Sequence, residues 1–135
     1  MNTPMLSVCP ENNGNGRTLC STLKALGVEE KLIFLEGNNG FKHLAYHPEI
    51  TLRHRQHAHD RFWQLGHVTG KGNTREEAEK DFLKNVCNPL RAMFYMLGPN
   101  DPHDFDQDPS NFQLAIGPIG RPRNYAQITH APQAG

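Results

Sequence analysis

Arg53, Arg55 and His57 recur at every second position, and so do Ile50, Leu52, His54 and Gln56 between them. In an extended strand, alternate side chains point to opposite faces. This spacing therefore predicts a basic row on one face, stepping about 7 Å at a time, with apolar groups and His54 on the other. Lys42 and Lys71 are candidates to extend the row. Trp63, or its neighbour Phe62, on an adjacent strand would add an aromatic surface. Cations bind phosphate by releasing its counterions, and aromatic rings stack on unpaired bases, so the chemistry expected is nucleic-acid binding.

The same stretch offers imidazoles. His54, His57 and His59 are spaced H-x2-H-x-H, with Asp60 adjacent. His57 and His59 share a strand face, and a third ligand from across the ladder would complete a zinc site. That reading makes zinc a candidate cofactor and a His-rich metal-dependent enzyme a candidate function. No H-E-x-x-H or paired C-x-x-C supports it.

Asp101, Asp104, Asp106 and Asp108 form an acidic, turn-rich segment. It imitates the opening of a calcium loop, but Pro109 stands where the sharp turn needs glycine and Ala115 where the bidentate glutamate belongs. The reading is a solvated acidic surface suited to a basic partner. Neither G-x-S-x-G nor a P-loop is present. With no coupled acid, base and nucleophile in view, the sequence leans away from an enzyme.

These residues need a scaffold. At 135 residues the chain is long enough for one domain with a real core. Thr74 followed three residues later by Glu77 is a capping box. Behind it, Ala78, Phe82, Val86, Leu90, Met93 and Leu97 make an apolar stripe at helical spacing. The spacing predicts a helix over about 74–97, which kinks at Pro89 or restarts there with Asn88 as cap. Before it, a short helix is expected at 17–26, closed by Gly27. Strands are expected at 31–36, 41–47, 50–57 and 61–69, with Pro48 dividing the second from the third. A last strand is expected at 112–116, inside an otherwise extended C-terminal tail.

The fold expected is thus α+β: an antiparallel meander of about four strands with the long helix across one face. The division expected is a flexible 1–16, a core over 17–98, and an acidic loop and tail over 99–135. The run from Phe62 to Val86, a strand followed by G-x-G-x-T-x-E-E-A and a helix, resembles the last strand and helix of double-stranded-RNA-binding domains. It is also similar to the strand-to-helix junction of HicB-type antitoxins. Where the RNA-binding family carries lysines at the helix start, this chain has Arg75-Glu76-Glu77, which repels phosphate.

Charge is balanced, with 14 Lys and Arg against 14 Asp and Glu, so the partner is not dictated by net charge. Three cysteines without a C-x-x-C predict free thiols, those of Cys20 and Cys87 on helix faces, and a reducing compartment. With no apolar run long enough to span a bilayer and no basic leader, the expectation is a soluble, cytoplasmic protein without a membrane partner. The leading functional expectation is a small binding or regulatory protein, of the kind that phages and mobile elements encode as modulators. It would dock on a host protein or nucleoprotein complex. Direct nucleic-acid binding is the alternative, and an uncovered sheet edge would permit a homodimer.

Overall fold

A computed structural model describes residues 5–7, 19–37, 40–56, 61–93, 96–97 and 108–127. The architecture is α+β. Strands β1 (Met5–Ser7), β2 (Ile33–Glu36), β3 (His43–Gln56), β4 (Arg61–Gly72), β5 (Met96–Leu97), β6 (Phe112–Ile116) and β7 (Asn124–Gln127) form one sheet. Its order is β1-β7-β6-β3-β4-β5, with β2 also on β3. All pairings are antiparallel except that of β1 with β7. Helices α1 (Leu19–Leu26), α2 (Arg75–Val86) and α3 (Pro89–Met93) complete it. No helix among the described residues is long and apolar enough to cross a membrane.

The centre of the sheet is β3. Pro48 does not divide two strands, as its missing N–H suggested. It falls in a register shift between Tyr46 and Thr51, beyond the last residue that pairs with β2 and before the first that pairs with β6. No ladder bond is lost there. The backbone groups of this bulge find partners elsewhere. The Pro48 carbonyl lies 3.2 Å from His67 Nε2, the Glu49 carbonyl accepts from Gly117 N, and Glu49 N donates to His47 Nδ1.

His47 is itself buried, with Nε2 2.8 Å from the Glu29 carbonyl. Because Nδ1 accepts and Nε2 donates, the ring is held neutral. Burial lowers its pKa below the ordinary 6.5, against the opposing pull of the Glu29 carbonyl and the Glu49 and Glu29 charges, with His67 adding to the lowering. An unfolded histidine takes up its proton near pH 6.5, before folded His47 does. The unfolded chain therefore binds the extra proton first, and stability falls as pH falls through that value toward the folded pKa. Urea midpoints should drop as the pH is lowered through about 6.5, and His47→Gln should flatten that slope.

The capping box at Thr74 forms, with one change of partner. Thr74 Oγ1 accepts from Glu77 N at 3.1 Å, while Glu77 Oε1 reaches past the cap to Asn73 N at 2.9 Å. The helix then ends at Val86, shorter than the 74–97 stripe predicts. Asn88 Oδ1 accepts from Leu90 N and Arg91 N, and Pro89 opens α3, where its missing N–H costs nothing.

Ala78, Phe82 and Val86 of α2 meet Ala45, Ile50, Leu52, Leu65 and Val68 of the sheet, and Leu23 and Leu26 of α1 join the same core. Phe112, Leu114 and Ile116 complete it from β6. The C-terminal strand β7 lies where composition predicted only an extended tail. Cys87 is disulfide-bonded, not the free core thiol expected. Spacing in the sequence does not reveal which cysteines a fold brings within bonding distance. Cys20 is free and exposed on α1.

Candidate binding face of the sheet

The alternation expected for β3 holds. Ile50, Leu52 and His54 are buried on the helix side, while Arg53 is half-buried and Arg55 exposed on the other. Among the described residues, no helix packs on that second face.

What stands beside Arg53 depends on a bulge in β4. Leu52 pairs with Gly66 and Arg53 with Gln64, so Leu65 is the extra residue. Gly66 has φ +146°, a value side-chain-bearing residues rarely adopt. The extra residue inverts the alternation of β4 below it. Phe62 and Gln64 thereby join the Arg53 face, and Trp63 goes to the His54 side. Trp63 is partly exposed there, away from the basic row.

Arg53 is tightly held. Its guanidinium carbon lies 3.7 Å from the Phe62 ring centroid and 3.5 Å from that of Tyr125. Its Nε and Nη2 donate to Gln113 Oε1 at 3.1 and 2.6 Å. Burial lowers its pKa from the ordinary guanidinium value, with Tyr125 opposing, and a guanidinium stays charged at neutral pH. Gln64 Nε2 donates to Thr51 Oγ1 at 2.9 Å beneath. Together with Ala115, Gly120 and Pro122, the side chains of Arg53, Phe62, Gln64 and Tyr125 line a cleft of about 140 Å³.

The wall of the cleft comes from the loop between β6 and β7, which carries Arg121 and Arg123. Arg123 N donates to the Ile116 carbonyl, and Arg123 Nη2 pairs with Glu49 Oε1 at 3.0 Å, which pins the loop to the β3 bulge. Arg53 and Arg55 of β3 and Arg121 and Arg123 of the loop thus put four arginines on these elements, and of them Arg123 is paired with Glu49. Arg55 lies farther from Phe62, at 5.9 Å from the ring.

Other candidates fall elsewhere. Lys71 pairs with Leu44 at the opposite end of β3, its Nζ 5.1 Å from the Phe41 ring, and Lys42 is exposed beside it. Neither joins the Arg53 cleft. His54 sits in the core, edge-on to Phe112 at 4.7 Å between centroids. That position separates it from the exposed face. His57 and His59 lie outside the described residues, as do Asp101, Asp104 and Asp106. Among the described residues, no group of three potential ligands gathers to hold a metal. Asp108 caps a short turn, its Oδ1 accepting from Ser110 N and Oγ at 3.0 and 2.9 Å.

Sequence reasoning missed Tyr125, Gln113 and the two loop arginines. Tyr125 and the arginines belong to a tail whose glycines and prolines masked its strand, and Gln113 reaches Arg53 only through a pairing 60 residues apart. Comparison with family models, with curated proteins and with solved structures finds no match to the chain.

Proposed function

We propose that this protein acts by binding, and that the Arg53 face of its sheet docks on single-stranded nucleic acid. The observation that carries the reading is the stack of Phe62, Arg53 and Tyr125, set between exposed Arg55 and the arginine-bearing loop. Stacking and the Gln113 bonds hold the Arg53 guanidinium in one orientation, so little of its freedom remains to be lost on binding. Phe62 is 45% exposed and offers a ring to an unpaired base. Arg55, Arg121 and Arg123 supply charge for a phosphate chain. A duplex suits this surface less well, because its bases are already stacked and their faces covered.

An anisotropy titration with labelled single strands tests it. Binding should weaken steeply as salt rises. Phe62→Ala should lose about tenfold, the worth of one stacked base, and Arg55→Glu should lose at least as much. Lys84→Glu, on the exposed side of α2, should change little. No binding at low salt would overturn the reading. It would leave docking on a host protein as the use of this face, since aromatic rings and arginine are also what protein interfaces concentrate.

A further inference from the structure

A second surface lies along β2, whose only strand partner among the described residues is β3. Half of the backbone N–H and C=O groups of such a strand point outward from its open edge. Natural edges are usually blunted by charge, proline or a bulge. Of the four residues of β2 only the last, Glu36, is charged, none is proline, and Ile33 and Leu35 are 39% and 41% exposed. Their partners Tyr46 and Leu44 show that both point to the face away from the helices. On the helix side, Phe34 is roofed by Arg75, whose guanidinium carbon is 4.8 Å from the ring centroid.

We propose that two copies of this chain join through β2, antiparallel about a twofold axis at Phe34, to make one continuous sheet. The register follows from the faces. Residues directly opposite in a sheet share a face, and of the antiparallel registers this allows, the one centred on Phe34 sets Ile33 of each copy against Leu35 of the other and covers the most exposed apolar surface. Four exposed apolar side chains then cover one another, flanked by Leu44 and Tyr46 of each copy. Charge selects the same direction. The segment begins with Lys31 and ends with Glu36. Antiparallel pairing sets Lys31 opposite Gly37 of the second copy, next to its Glu36, at both ends. Parallel pairing would put like charges together. Because such an interface is self-complementary, it closes at two copies and does not propagate.

Sedimentation over a range of concentrations reads this directly. The wild type should move from 15.2 kDa toward twice that mass in the micromolar range. Ile33→Lys should remain monomeric with an unchanged unfolding midpoint, since the site is exposed. Ile33→Lys combined with Leu35→Glu should dimerise again, because each lysine then faces a glutamate of the other copy. A wild type that stays monomeric, a dimer indifferent to Ile33→Lys, or a double variant that fails to recover would each overturn the pairing. An edge that captures a strand of a different protein, with no self-association, would do the same.

Discussion

Gly70→Ala is expected to cost about 3 kcal/mol or more, the upper end of what overpacking does. The reason is the closeness of α2 to β4. A β-carbon at Gly70 would fall on the Phe82 amide nitrogen and the Ala78 carbonyl oxygen, and one at Gly72 would lie 2.6 Å from Ala78 N. These are backbone atoms of a helix, so no rotamer change makes room. The whole helix would have to lift, uncovering Ala78, Phe82 and Val86, all fully buried. Urea unfolding checks this: the midpoint should fall while the slope stays constant. A loss under about 1 kcal/mol would mean that α2 rides higher on the sheet than described.

Asn85→Ala should cost a comparable amount, about 3 kcal/mol, by a different route. Asn85 is fully buried between α2, α3 and β4. Its Nδ2 donates to the Thr69 carbonyl, and its Oδ1 accepts from Arg91 Nη1. Arg91 Nη2 continues to Asp81 Oδ1 at 2.7 Å, and Asp81 Oδ2 accepts from Lys71 N at 2.9 Å. One amide therefore joins a helix to the strand below it and to the helix that follows. Alanine removes both bonds, one of them to a charged donor, which is the more valuable kind. Asn85→Asp distinguishes the two halves. A carboxylate keeps an acceptor for Arg91 but turns a second acceptor toward the Thr69 carbonyl, so Asp should not rescue Ala. A thermal or urea comparison of the two variants decides it. Recovery in the aspartate variant would show that only the Arg91 bond matters.

Much of this arrangement was legible beforehand, because it rests on local rules. Thr74 and Glu77 marked the start of α2, alternation separated Arg53 from Leu52, and Phe112–Ile116 read as a strand. The misreadings have physical causes. Pro48 argues for a break only when its N–H is needed, and a bulge removes that need. At Pro89 the expected alternative of a restart holds, because Asn88 supplies the cap of a new helix. The choice between Phe62 and Trp63 turned on one extra residue at Leu65, and a glycine in a strand signals a bulge without saying which side chains it redirects. Tyr125 and Gln113 complete the cleft through pairings that span the chain, which no local pattern encodes.

The gap in β3 at Pro48 also bears on how the chain folds. It leaves two successive partners on one edge, β2 from just before it in sequence and β6 from some 60 residues later. Pairing with β2 closes a short loop, whereas pairing with β6 must confine the intervening chain first, at an entropic cost that rises with loop length. The β2-β3-β4 sheet with α2 can therefore assemble as an early unit, and β6 and β7 arrive on a half-built edge. Arg53 meets Gln113 and Tyr125 only once that edge is added, so the cleft is completed by contacts that span 60 residues or more of chain.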